Sequence, residues 1–91
     1  MTHDFSHLLA FIDKFLRHEI TGQQIVNAID EFVSSDKVYD LPDTVANNTL
    51  DLQNQAAMYV ANPEKRLEYS GYFDDSKLTE ILVSFLRQNK N

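Results

Sequence analysis

The stretch from residue 20 to residue 33, ITGQQIVNAIDEFV, decides the fold of this 91-residue chain. Thr21 can accept hydrogen bonds from the free amides of a helix start, and Gln24, three residues later, can accept one from the Thr21 amide. Apolar residues then recur at three- and four-residue steps to the end of the stretch. The pattern predicts an amphipathic helix that begins after Thr21 and ends near Ser34.

Helical spacing is also present at both ends of the chain. A first helix is predicted from about Asp4 to His18, and a last helix is predicted to begin with Asp74 or Asp75 as its cap. The apolar face of the first helix is Phe5, Leu8, Leu9, Ile12, Phe15 and Leu16. The apolar face of the last helix is Leu78, Ile81, Leu82, Phe85 and Leu86.

The middle of the chain has a weaker pattern. After a polar connection of about seven residues, positions 41–43 (Leu-Pro-Asp) restart a helix. This third helix is predicted to continue until Asn62, where Asn62 caps a short helix with Pro63 at its first position, running to Leu67. The third helix has a thinner apolar stripe: Val45, Leu52, Ala56, Tyr59 and Val60.

The punctuation of the chain predicts its fold class. Only two glycines and two prolines occur, and all four separate stretches of helical spacing. Alternating strand patterns are not found. We therefore expect one all-α domain over residues 1–91, an antiparallel four-helix bundle with a short extra helical turn before the last helix.

Composition and charge restrict the class of partner. Fourteen acidic against eight basic residues give a net charge of -6 and a pI near 4.8, which argues against direct binding of nucleic acid and favours a basic protein. The chain has no cysteine, no apolar run that could span a membrane and no signal-peptide pattern. We expect a cytoplasmic protein that does not bind membranes.

The negative charge is concentrated in the middle of the chain. Between Glu19 and Glu64 there are eight carboxylates and a single base, Lys37, whereas the remainder has six acids and seven bases. Such a run is either a solvated face or a folded acidic surface that steers a cationic partner. Asp43 and Asp51 on the third helix are candidate partner-binding residues on this surface.

A second cluster, residues 64–75, combines four carboxylates with three aromatic residues around Gly71. The aromatic residues Tyr69, Tyr72 and Phe73 do not have helical spacing, so at least one of them should lie at the surface beside the acids. Tyrosine beside charged residues is a frequent anchor in protein interfaces, because the ring supplies area and the hydroxyl a hydrogen bond.

Two motifs that could carry chemistry have simpler explanations. His3 and His7 share a helix face, but two histidines leave a zinc site incomplete, so we assign no metal. Ser76 follows an aspartate, as at the attachment serine of acyl carrier proteins, but a lysine follows it, and an ordinary helix start is favoured. Motifs for nucleophilic, metallo- or phosphate-binding enzymes are missing, so neither catalysis nor a cofactor is expected.

Several short pieces, taken in order, resemble the colicin D immunity protein family, small acidic helical proteins that neutralise a tRNA-cleaving bacteriocin domain. The pieces are IDKFL at 12–16 followed by EIT at 19–21, AAM at 56–58, Pro63-Glu64, and Asp74-Asp75 with Leu78 opening the last helix. Related immunity proteins protect against toxins of contact-dependent inhibition systems. The resemblance covers most of the chain.

The resemblance implies a non-enzymatic inhibitor that binds its cognate nuclease toxin and offers carboxylates where RNA phosphates would lie. We expect the free protein to be a monomer. Glu64 is the first candidate for this role, followed by Asp74, Asp75 and Glu68, with Tyr72 as an aromatic contact. The alternative is a small acidic helical adaptor or regulatory subunit that docks a basic protein other than a nuclease. The two share every surface property predicted here.

Overall fold

The structure is a computed structural model that describes the backbone of residues 3–88 and the side chains of residues 5–88. Within that range the chain is all-helical and has no β-strand, as predicted. Five α-helices and one 3-10 helix follow one another: α1 His3–Leu16, α2 Gly22–Ser34, the 3-10 helix Lys37–Asp40, α3 Asp43–Ala56, α4 Pro63–Arg66 and α5 Asp75–Gln88.

The four long helices form the predicted bundle. Helix α2 packs against α1 and α3, α3 packs against α5, and α5 also contacts α1, which closes the ring. Helices α1 and α2 run in opposite directions. The start of α1 therefore lies beside the end of α2, where His7 and Phe11 share a shallow cleft with Glu31 and Ser35. The bundle measures 39 × 24 × 22 Å.

The core is built from the apolar faces that the sequence predicts. Phe5 of α1 lies 5.9 Å from Phe32 of α2 and 6.4 Å from Phe85 of α5, between ring centroids, and so links three helices. Full burial of one such side chain contributes about 2 kcal/mol. The largest of the fully buried side chains are Ile12, Ile25, Ile29, Val38, Thr49, Leu52, Leu78 and Leu82.

The predicted capping box of α2 is confirmed. The Thr21 hydroxyl accepts a hydrogen bond from the Gln24 amide at 3.2 Å, and the Gln24 side chain accepts one from the Thr21 amide at 2.8 Å. Helix α2 ends at Ser34, as expected. The decisive stretch of sequence therefore specifies its helix locally, before any tertiary contact is considered.

Helix α1 ends two residues earlier than predicted. His18 adopts a left-handed conformation with φ of 66°, its amide donates to the Phe15 carbonyl, and the Glu19 amide donates to the Lys14 carbonyl. This is a Schellman motif, in which glycine is the usual left-handed residue. With histidine at that position, the sequence carries no glycine signal for the end of α1.

The predicted length of the third helix is wrong. Helix α3 ends at Ala56, and Tyr59 forms an isolated parallel β-bridge with Phe73 instead of a further helical turn. The Val60 amide donates to the Phe73 carbonyl at 3.1 Å, and the Phe73 amide donates to the Met58 carbonyl at 3.2 Å. Pairing with a distant segment replaces the helical hydrogen bonds here, and no local breaker announces it.

Three remaining expectations concern the short helix, the membrane and the N-terminus. The Asn62 side chain accepts a hydrogen bond from the Glu64 amide at 2.9 Å and Pro63 opens α4, as predicted, although α4 ends at Arg66 with Leu67 as its cap. No helix within the described part of the chain is long and apolar enough to cross a bilayer. The His3 side chain, and with it the His3–His7 pair, lies outside the described residues.

Candidate partner-binding site

The second cluster, residues 64–75, is called here the acidic segment. It includes Phe73, one partner of the Tyr59–Phe73 bridge, and leads into α5, so it lies at the end of the bundle where α1 and α3 finish and α2 and α5 begin. A cleft at this end is lined by residues of α1, α2 and α5 and of the connections between helices, among them His18, Thr21, Tyr59 and Ser76. The acidic segment therefore lies at the end of the bundle that has this cleft.

Five of the seven predicted site residues come together on the acidic segment. Glu64 lies in the first turn of α4, Glu68 follows α4, and Asp74 and Asp75 begin α5; all four carboxylates are exposed. Tyr72 is half-buried between them. The assignment of these five to partner binding stays a prediction, but the structure brings them to one region.

The other two predicted residues lie elsewhere. Asp43 is the first residue of α3 and therefore lies at the opposite end of the bundle, about 20 Å along the helix from Ala56. Asp51 lies midway along α3 in a shallow cleft shared with Ser84 and Gln88 of α5. The structure does not bring either carboxylate to the acidic segment.

The acidic segment contains four carboxylates and two bases, Lys65 and Arg66, and so carries a net charge of -2. Neither Glu64 nor Glu68 forms a salt bridge with a described residue, although both bases lie in α4. Lys65 is exposed, and Arg66 donates to the carbonyls of Val60 at 2.9 Å and Ala61 at 3.4 Å. These hydrogen bonds tie the Arg66 side chain to the backbone of Val60 and Ala61. The two glutamates therefore face solvent without an ion pair to a described residue, with the exposed Lys65 between them in the chain.

Asp74 and Asp75 have structural tasks as well. Asp74 caps α5, because its Oδ1 accepts a hydrogen bond from the Lys77 amide at 3.3 Å. Asp75 Oδ1 accepts a hydrogen bond from the Tyr59 hydroxyl at 2.5 Å. Burial of the ring, followed by this hydrogen bond and the negative charge of Asp75, raises the pKa of Tyr59 to about 12. One carboxylate oxygen of each aspartate therefore already accepts a hydrogen bond from within the protein.

The three aromatic residues of the acidic segment have different environments. Tyr69 is 53% exposed, which confirms that at least one of the three lies at the surface. Its ring meets Tyr72 edge to face, with centroids 5.2 Å apart and planes at 71°. Phe73 instead packs toward the core, with its ring centroid 6.3 Å from that of Tyr59.

Sequence reasoning missed Leu67, which it treated only as the end of the short helix. Leu67 is 87% exposed, more than any other large apolar residue described as exposed. The available signal was the absence of an apolar neighbour three or four residues away on either side, where Pro63, Glu64, Ser70 and Gly71 stand. A leucine without such neighbours has no helical stripe through which to join the core.

Other candidate chemistry finds little support in the fold. No group of three His, Asp or Glu residues with described side chains is arranged to hold a metal ion. Ser76 lies exposed in the first turn of α5, as expected for a residue at a helix start.

No family model, curated protein sequence or solved structure matches this chain.

Proposed function

We propose that this protein is an immunity-type inhibitor, which binds the basic active site of a nuclease toxin with its acidic segment and has no catalytic activity of its own. The toxin is proposed to be a tRNA-cleaving ribonuclease. The observation that carries the proposal is the grouping of four exposed carboxylates with an exposed tyrosine and leucine on one short segment. The resemblance to the colicin D immunity family supports the same function.

Charge favours this class of partner. A ribonuclease active site must be positive to hold phosphates, and an acidic surface that fits it gains charge-assisted hydrogen bonds to arginine and lysine. The net charge of -6 also steers a cationic protein over longer distances. Asp43 and Asp51, remote from the acidic segment, would act in steering.

The absence of internal salt bridges at Glu64 and Glu68 supports a role in direct contact. A carboxylate that is already paired would have to break that pair before it could meet a cation of the partner. These two still have to give up water, which costs free energy, but no internal ion pair has to be broken first. Glu64 remains the first candidate for the position of an RNA phosphate.

The acidic segment is also preorganised. Two backbone hydrogen bonds join residues 58–60 to Phe73, and the Tyr59–Asp75 hydrogen bond ties the connection to α5. A binding segment that is already ordered loses less conformational entropy on association than a mobile one. This arrangement is consistent with a tight, rigid inhibitor.

The test uses the toxin domain encoded next to the gene for this protein. The purified protein is mixed with that domain, and RNA cleavage is followed as the molar ratio rises. We expect cleavage to stop near equimolar amounts. Undiminished cleavage at a large molar excess would contradict the proposal. Binding to a neighbouring basic protein that does not cleave RNA would favour the adaptor alternative.

A further inference from the structure

The cleft at the end of the bundle that bears the acidic segment has room for a side chain of another protein. It measures about 480 Å³ and lies between the end of α1 and the starts of α2 and α5. Its walls include Phe15 and Tyr59, which are buried, and Ile20, which is half-buried. Clefts of this size hold small molecules in other proteins, and a single long side chain is smaller still. The walls can therefore cover the apolar part of such a side chain.

Asp75 supplies the one carboxylate that lines this cleft within the described part of the chain. Its Oδ1 accepts the hydrogen bond from the Tyr59 hydroxyl at 2.5 Å, which holds the carboxylate in place. Its Oδ2 accepts no hydrogen bond from a described residue, and the side chain forms no ion pair with one. Asp75 thus combines a fixed position with an oxygen that can still accept from a donor.

The charge at this cleft is negative when the nearby bases are included. Among the residues of known placement, no lysine or arginine lines the cleft. The charges that act on the Tyr59 hydroxyl in its wall are those of Asp75, Asp74 and Arg66, two negative and one positive, which leaves a net charge of -1. A cationic group that entered the cleft would therefore meet a favourable field.

The bases that flank the lining residues in sequence have partners elsewhere. Arg17 pairs with Asp13 at 3.0 Å, and Lys77 lies 3.9 Å from Glu80. Both pairs are formed along a single helix, on exposed side chains. The remaining titratable group in the lining is His18, whose imidazole can accept a hydrogen bond from a cationic donor when it is neutral. The carboxylate of Asp75 is therefore left for a cation from outside the protein.

These properties together fit a basic side chain. Lysine and arginine carry an apolar stem that can pack against apolar walls while the charged end pairs with a carboxylate. An acidic side chain would be repelled by Asp75, and a purely apolar one would desolvate the carboxylate without a partner. We infer that this cleft receives a lysine or arginine side chain of the toxin, an inference that rests on the proposed function. The contact is separate from Glu64 and Glu68, which do not line the cleft.

Two variants change the cleft in different ways. Asp75→Asn removes the charge and keeps an oxygen that can accept from the Tyr59 hydroxyl. Ala61→Leu enlarges an exposed lining residue, so that it occupies space in the cleft and leaves Asp75 and the net charge unchanged. The matched control is Asp40→Asn, which makes the same change of net charge at an exposed residue of the 3-10 helix, at the opposite end of the bundle.

The affinity of the toxin domain is measured for each variant. We expect Asp75→Asn and Ala61→Leu to weaken binding about ten-fold or more, because the first removes one partner of a desolvated charge pair and the second excludes the other. Asp40→Asn should stay within about two-fold of wild type, as a charge outside the contact. Each lysine and arginine of the toxin is then replaced by alanine. One of these replacements should weaken binding to the wild-type protein and have little further effect on Asp75→Asn.

The outcomes separate the inference from the proposed function. If the wild-type protein inhibits the toxin while either Asp75→Asn or Ala61→Leu binds as wild type does, the inference is wrong and the proposed function stands. An equal effect of Asp40→Asn would also overturn it. A segment that Asp75→Asn had merely loosened would weaken binding without coupling to any single toxin base, and that result too would contradict the inference. If the wild-type protein does not bind the toxin, both fail.

Discussion

The Tyr59 hydroxyl donates a hydrogen bond to the Asp75 carboxylate at 2.5 Å, and this contact joins the exit of α3 to the first residue of α5. The same ring covers Gly22, the first residue of α2, where a Cβ atom would collide with the Tyr59 hydroxyl. One side chain thus fixes the relation of three helices at the end that bears the acidic segment.

Removal of the Tyr59 hydroxyl tests this contact. We expect Tyr59→Phe to lower the free energy of unfolding by about 1.5 kcal/mol, the low end for a hydrogen bond to a charged group, because Asp75 is exposed to water. Urea denaturation measures the change. Tyr69→Phe is the control, since its hydroxyl makes no hydrogen bond with a described residue. Equal losses in the two variants would contradict a special role for Tyr59.

The raised pKa of Tyr59 predicts a pH dependence at alkaline pH. The phenol titrates at about 12 in the folded protein and near 10 when unfolded. Its contribution to stability is therefore complete below about pH 10 and is lost as the pH rises toward 12. Phenolate absorbance should show one tyrosine titrating near pH 12, and Tyr59→Phe should lack it. A wild-type titration without this late component would contradict the prediction.

Gly22→Ala should destabilise the protein although alanine is the better helix former. The added Cβ would meet the hydroxyl end of Tyr59 and the carboxylate of Asp75, and the Tyr59 ring, only 9% exposed, has little room to move. We expect a loss of about 1–3 kcal/mol, as for overpacking elsewhere. The neighbouring exposed Gln23→Ala is the control. Thermal or urea unfolding that showed Gly22→Ala to be more stable would disprove the close contact.

The two well-formed caps should differ in their effect. Thr21→Ala removes half of the capping box of α2 and should cost about 1 kcal/mol of global stability. Asn62→Ala removes the cap of α4, which buries no residue, and should leave global stability nearly unchanged. Hydrogen exchange of the Glu64 amide should nevertheless accelerate in Asn62→Ala. A large global loss in that variant would mean that α4 supports the core after all.

Charge reversal tests the main site assignment. If the proposed function holds, Glu64→Arg should weaken toxin binding about 100-fold or more, because it places a cation against the cationic active site. Asp43→Arg makes the same change of net charge at the opposite end of the bundle and should mainly slow association. Affinity for the toxin domain is measured for both variants. An unchanged affinity of Glu64→Arg would remove the assignment.

Local signals account for the parts of the fold that could be predicted from sequence. Each of these signals depends on residues that are only a few positions apart in sequence. They are the capping box at Thr21, the Asn62-Pro63 start of α4 and the apolar faces of the long helices. The end of α1 at Leu16, with His18 as the left-handed residue beyond it, and the end of α3 at Ala56 could not be predicted. The first uses a left-handed histidine in place of glycine, and the second depends on pairing with Phe73, fourteen positions beyond Tyr59.

The candidate site was predictable in composition and not in arrangement. The carboxylates and tyrosines of the acidic segment were chosen because they are close in sequence, which suffices for a short loop. Asp43 and Asp51 were chosen from a charge count, which carries no information on which end of a bundle a residue occupies. Leu67 escaped because its significance lies in a lack of core contacts, which becomes visible only once the core is known.

Backbone hydrogen bonds join residues 58–60 to Phe73, so residues 61–72 form a loop with a fixed point at each end. Because α4 buries nothing, we expect substitutions within α4 to leave the bundle intact and, if the proposed function holds, to change what is bound. Proteins that diverged from a common ancestor on this scaffold would keep their core faces and differ most between these points. Their common origin would be recognisable from the core residues, which bind no partner. Their choice of partner would depend on the residues of this interval, which change fastest.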